Sequence, residues 1–157
     1  MYKPILFQKL TTNAVVKDSA AWNIYASSMP FNLSPKAKEL PKRSRPDRNG
    51  DDEYVPDAMF YEAYEMDVVF VYCIPTTKAT GTTGISNTDI KGFLDYIKTG
   101  GMFKIYDTYT QIGRTNVRYV DFKPKMFFRR EGINDVVEFT VTLKVNDPVT
   151  DITLTKA

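Results

Sequence analysis

Between Val137 and Val145 apolar and polar side chains alternate without a break, Val137-Glu138-Phe139-Thr140-Val141-Thr142-Leu143-Lys144-Val145. Successive side chains leave a strand on opposite faces, so a period of two specifies a half-buried β-strand with Val137, Phe139, Val141, Leu143 and Val145 turned inward. Asp147-Pro148 ends it, because proline has no N–H to offer a ladder. One such strand needs partners. Arg114 to Phe122 and Lys125 to Arg130 read as two more, separated by Lys123-Pro124, with the turn Arg130-Glu131-Gly132-Ile133-Asn134-Asp135 leading into the alternating strand. Met102 to Tyr106 is another. Tyr64 to Ile74 is the longest candidate, and its second half is apolar on both faces, as in a central strand covered on both sides. Short apolar stretches at Ile5 to Phe7 and Trp22 to Tyr25 lie in the first forty residues.

A different period appears once. Ile90, Phe93, Leu94 and Ile97 fall at i, i+3, i+4 and i+7, which makes one apolar stripe on a helix over about residues 88–98. Ser86 or Asn87 can cap it, Asp89 suits the positive N-terminal end and Lys98 the other, and Gly100-Gly101 supplies the left-handed exit. The fold class expected is therefore mainly β, an antiparallel β-sandwich with one flanking α-helix. At 157 residues, a single domain spanning 1–157 can build its core without disulfides or metal. The ten tyrosines and ten phenylalanines suit pleated surfaces and interfaces.

Composition narrows the chemistry. The chain contains no histidine, which removes Ser-His-Asp and Cys-His nucleophiles, His-containing zinc sites and the usual base near neutrality. Carboxylate-only catalysis and magnesium chemistry survive that argument. Cys73, the single cysteine, cannot form an intrachain disulfide and sits in an apolar run that suits a buried, inert thiol. A net charge of +2, from 21 basic and 19 acidic residues, is too balanced for a general polyanion binder. The N-terminal residues turn polar at Gln8-Lys9, unlike a signal peptide, and no apolar run is long enough to span a bilayer.

Two segments read as long loops, 41–57 (PKRSRPDRNGDDEYVPD) and 75–87 (PTTKATGTTGISN), of the kind that carries function or orders on binding. In the first, Lys42, Arg43, Arg45 and Arg48 run into Asp51, Asp52 and Glu53. Without interleaved aromatics this is a poor nucleic-acid patch, and a self-complementary strip, solvated or paired with a neighbouring subunit, fits better. The same stretch imitates a calcium loop, but its glycine falls one position early and Ala58 stands where a bidentate Glu belongs. Gly81-Thr82-Thr83-Gly84 lacks the Gly-Lys-Ser/Thr ending of a phosphate loop. Asn32-Leu33-Ser34 is a sequon by pattern alone. Glu62, Glu65 and Asp67 crowd one stretch; Glu65 and Asp67 share a strand face, which suits an exposed edge or interface better than an acid pair.

The order of these features from about residue 35 to 148 resembles the distal tail proteins of siphophages and, more broadly, the phage tail-tube superfamily that includes the tubes of type VI secretion systems. The resemblance runs through the basic stretch and glycine-containing loop at 40–51, a strand at Met66 to Tyr72, one amphipathic helix whose glycine exit feeds the strand Gly101 to Asp107, and the late strands ending at Pro148. It implies a structural subunit of a phage or prophage tail, built in the bacterial cytoplasm and carried in the virion. Its partners would be copies of itself in a hexameric ring and other tail proteins, with no cofactor, metal, catalytic residue, sequence-specific nucleic acid or membrane insertion. The subunit contact falls at or near residues 36–53, with Lys42, Arg43, Arg45, Arg48, Asp51, Asp52 and Glu53 as its charged groups. Distal tail protein, tube subunit and another tail component remain open. Two other classes stand beside it: a small β-sandwich module binding a sugar or peptide, marked by an aromatic-lined concave pocket, and a carboxylate glycosidase, marked by two carboxyl groups about 5–9.5 Å apart in a cleft.

Overall fold

The computed structural model describes residues 4–73, 85–128 and 136–156. Its elements in chain order are β1 (Ile5–Lys9), β2 (Lys17–Asp18), the 3-10 turn η1 (Ser19–Trp22), β3 (Ile24–Ser28), β4 (Lys42–Ser44) and β5 (Asp51–Glu53). They continue with β6 (Tyr64–Cys73), the helix α1 (Ile85–Lys98), β7 (Phe103–Asp107), β8 (Ile112–Phe128) and β9 (Val136–Val145). The protein is mainly β, and among the described residues there is one α-helix and every strand pair is antiparallel. Seven strands form one hydrogen-bonded sheet in the order β2-β1-β7-β8-β9-β6-β3, and β4 and β5 form a separate hairpin.

The sheet cannot be flat. Its outermost strands are β2 and β3, which would stand about 29 Å apart if seven strands lay in a plane. Yet Asp18, which ends β2, and Ile24, which begins β3, are separated only by η1 and Asn23, a span of about 20 Å even fully extended. The 3-10 coil makes it shorter still. The sheet is therefore curled over its core, and η1 joins its two edges. The Asp18 carboxylate accepts the Ala20 N–H at 2.8 Å to start that turn, and Asn23 leaves it in the left-handed region at φ 56°.

One strand belongs to both flanks of the curl. The first residues of β8 pair with β7, from Asp107↔Ile112 to Phe103↔Val117. The rest pair with β9, from Val117↔Val145 to Phe128↔Val136. The sequence divides this stretch at Lys123-Pro124, but the strand is continuous. Register shifts at Tyr119/Asp121 and Pro124/Met126 admit the extra residues, and Pro124 sits opposite Phe139 beside the second shift. Bulges bend a strand and tolerate a residue that cannot donate, which is why the proline turns the strand without ending it.

All five inward residues of the alternating strand are buried in β9. Phe93 joins the two flanks. It is fully buried, with ring centroids 5.7 Å from Phe7 on one flank and 5.2 Å from Phe70 on the other. Trp22 of the closing turn lies 5.6 Å away on the same ring. Ile97 is buried beside Phe93, and Ile90 and Leu94 pack half-buried against the same cluster. The helix begins earlier than its pattern implies, at Ile85, so the last residues of the expected 75–87 loop are helical; the side chains of Ser86 and Asn87 lie outside those described. Asp89 serves the tertiary structure instead, accepting from Asn23 Nδ2 at 3.1 Å and the Tyr72 hydroxyl at 3.0 Å. Gly100 and Gly101 provide the left-handed exit at φ 77° and 80°. Within β6, Met66, Val68, Phe70 and Tyr72 are buried, whereas Val69 and Val71 are only half-covered, because no second layer lies over that face as fully as its apolar character led us to expect. The Cys73 thiol, residues 75–84 and the turn 130–135 lie outside the described side chains and residues.

Candidate assembly surface

Segment 41–57 is not an irregular loop. Residues 35–62 leave the curled sheet between β3 and β6 as a two-stranded arm. At its root, Ala37 bridges Tyr61, Lys38 N donates to Phe60 O at 2.8 Å, and Glu62 N donates to Lys36 O at 2.8 Å. Further out, Tyr54 N donates to Pro41 O at 3.0 Å, and the hairpin continues through Lys42↔Glu53, Arg43↔Asp52 and Ser44↔Asp51. The tip turns through Arg45, Asp47 and Arg48 to Gly50, whose φ of 76° suits glycine. Sequence alone missed these strands because each has three residues and neither alternates; only the hairpin register sets the basic residues opposite the acidic ones.

The seven charged residues singled out from the sequence thus meet on one arm. Lys42 and Arg43 face Glu53 and Asp52 across it, and Arg45 Nε lies 3.3 Å from Asp52. Arg48 sits in the tip, its N–H donating to Arg45 O at 3.3 Å. One ion pair of the expected complementarity, Arg45 with Asp52, is thus used within the chain. Beside its exposed charged groups the arm also leaves large apolar side chains uncovered: Tyr54 is 69% exposed, Val55 62% and Phe60 70%. Exposed large apolar side chains gathered on one projection mark an interaction surface. The signal was present in the unpatterned run Tyr54-Val55-Pro56-Asp57-Ala58-Met59-Phe60, which has no period to bury it. Of the crowded carboxylates, Glu65 lies opposite Lys144, and Asp67 accepts the Thr142 hydroxyl at 2.5 Å. That is cross-strand pairing on an open sheet face.

A groove of about 400 Å³ opens at the root of the arm, between Leu33 and Tyr61, the start of β8 at Ile112 and Arg114, and the chain after β9 at Val149 and Asp151. Among the described residues Tyr61 is the sole aromatic side chain in its lining. Arg114 forms the floor. It is 4% exposed, donates Nη1 to the Gly113 carbonyl at 2.9 Å and to Asp151, and its Nε has no hydrogen-bond partner among the described residues. Asp151, in contrast, has an 80% exposed side chain. Nearby, burial acts to raise the Asp147 carboxyl. The Thr150 and Val149 N–H groups, the Thr150 hydroxyl and the Arg114 charge outweigh it and hold the group below its ordinary value.

The residues after Pro148 run as a strap over the outer face of the sheet. Ile152 N approaches the Gly113 carbonyl at 3.5 Å, Leu154 is buried against Leu6 and Tyr106, and Lys156 pairs with Asp18 at 3.0 Å. Gly113 has to be glycine here, since a Cβ would collide with the Ile152 carbonyl.

No family model matches the chain, and no curated protein matches it. A solved structure does. In fold, the chain is similar to the Dit protein of SPP1, described as a paradigm of the hub adsorption apparatus in phages that infect Gram-positive bacteria. The match covers 92% of this chain at a TM-score of 0.59 and 12% identity. It covers 50% of the Dit chain, so the present chain spans about half of that protein's length. At such identity the likeness is one of architecture. No helix among the described residues is long and apolar enough to cross a membrane.

Proposed function

We propose that this chain is a structural subunit of a bacteriophage or prophage tail that assembles with copies of itself into a six-membered ring at the tail tip or in the tube. The observation that carries the reading is the fold match over 92% of the chain to a tail hub protein. The arm supports it independently, because it projects from the sheet and presents Tyr54, Val55 and Phe60 to solvent. A cyclic ring needs two different complementary surfaces on each subunit, and an arm beside a groove supplies two. The role is assembly rather than catalysis: a chain without histidine whose neighbour in fold is a tail hub has its distinctive features on its outside. The charged groups at the subunit contact are Lys42, Arg43, Arg45, Arg48, Asp51, Asp52 and Glu53, the partners other tail proteins, and the site of action the virion tail after assembly in the host cytoplasm. Native mass measurement at high protein concentration, and inside a reconstituted tail, tests it. A six-fold mass and ring-shaped particles in electron micrographs are expected. A closed two-fold dimer that buries the arms would overturn the ring.

A further inference from the structure

We infer that the groove over Arg114 is the receptor for the arm of a neighbouring copy, with an arm carboxylate taking the place that Asp151 holds in the single chain. The inference rests on the ring reading and adds to it where the two surfaces meet.

Three observations carry it. The groove combines a charged floor with exposed apolar side chains, as the arm combines charged and apolar groups. Its floor is a buried guanidinium whose Nε has no hydrogen-bond partner among the described residues, and its lip carries Leu33 and Val149, 73% and 58% exposed. The arm offers adjacent complements: Asp51 and Glu53, which among the described residues have no cation within ion-pairing distance, followed directly by exposed Tyr54 and Val55. Asp52 is already engaged by Arg45.

The second observation is the position of Asp151. A guanidinium presents five donors in a fixed fork suited to a carboxylate. Here the fork is buried and its carboxylate partner is 80% exposed on the strap. The Asp151 side chain makes no other hydrogen bond among the described residues, so another carboxylate can take its place at the guanidinium. Asp147 cannot replace it as readily, because its Oδ1 already accepts the N–H groups of Val149 and Thr150 at 3.3 and 3.1 Å.

The third is reach. Leu33 and Tyr61, which line the groove, stand at the root of the arm. Nine positions separate Lys36 from Arg45, about 30 Å of extended chain, and the pairings from Ala37↔Tyr61 out to Lys42↔Glu53 direct the tip away from its own root. An arm therefore meets the groove of another copy, not its own. Donor and receptor surfaces are different, so each subunit gives one arm and receives one, the heterologous geometry that closes rings.

Cysteine cross-linking of the full chain tests this. On a Cys73→Ala background confirmed as folded by circular dichroism, one protein carries Tyr54→Cys and another Val149→Cys, both at exposed positions. Mixed at high concentration under mild oxidation, they should give a covalent dimer that neither gives alone. Asp51→Lys with Glu53→Lys should slow that reaction about ten-fold by removing the charge complementarity. Asp151→Asn should speed it, because the guanidinium loses its internal competitor; a merely structural Asp151 would have no such effect. A six-fold mass without the mixed disulfide overturns this inference and leaves the ring standing. A Tyr54→Cys protein that cross-links only to itself overturns both, and monomer without mixed disulfide at millimolar concentration overturns the docking.

Discussion

The Lys9 ammonium stands 4.5 Å from the centroid of the Tyr96 ring and donates to the carbonyl oxygen of the same residue. It also donates to Thr99 O and lies 5.4 Å from the Phe103 ring. The last carbonyls of a helix have no partner inside it, and a cation there meets the negative end of the helix dipole. Lys9 thus caps α1 from β1, 87 residues away in the chain, just where Gly100 and Gly101 turn the backbone away.

Lys9→Met keeps the stem and removes this cap and the cation–π contact. A loss of about 1 kcal/mol is expected from the two together, read as a lower urea midpoint at unchanged slope. The figure is modest because burial holds the Lys9 pKa below its ordinary value, so desolvation offsets part of the attraction. An unchanged midpoint would show that water serves these carbonyls equally well.

Phe93→Ala removes the ring that touches both flanks of the curl and the closing turn. The side chain is fully buried among Phe7, Trp22, Phe70 and Phe139, and few of those neighbours can collapse into the space. A cost of about 3–5 kcal/mol follows from lost transfer energy plus the cavity. Calorimetry or chemical denaturation measures it; a cost below 1 kcal/mol would mean the helix is not the centre of the core.

Gly113→Ala places a methyl against the Ile152 carbonyl, and backbone cannot swing aside as a side chain can. We expect a loss of about 1–3 kcal/mol, felt first by the strap. Amide exchange at Ile152 and Leu154 should accelerate while that of Phe139 and Val141 stays slow. Uniform acceleration throughout would instead mean that the strap and the sheet unfold as one unit.

Acidification probes Asp147. Its folded pKa lies below the unfolded one, so its contribution to stability is present above the ordinary carboxylate value and is lost as pH falls through the depressed folded value. Asp147→Asn should therefore be less stable than the parent near neutrality, with the gap closing between about pH 5 and pH 2. A gap independent of pH in urea titrations would place the effect elsewhere.

Local pattern made several of these features legible in the sequence. The inward set of β9 and the stripe on α1 needed only a period of 2 or 3.6, and Gly100-Gly101 needed only a steric rule, so all were readable from neighbours in the chain. Beyond that range the sequence was silent. Pro124 looked like a break until β9 supplied a partner across a bulge, and 41–57 looked like a loop until its basic and acidic halves lay side by side. The curl, the closing of two sheet edges by η1, the Lys9 cap on α1 and the burial of Arg114 under the strap each join residues remote in sequence. Sequence alone determined which faces are apolar and where the chain turns, because those are properties of adjacent residues. Only tertiary structure decided which of those faces meet and which apolar residues stay outside, because that depends on which distant partners come within reach to cover them.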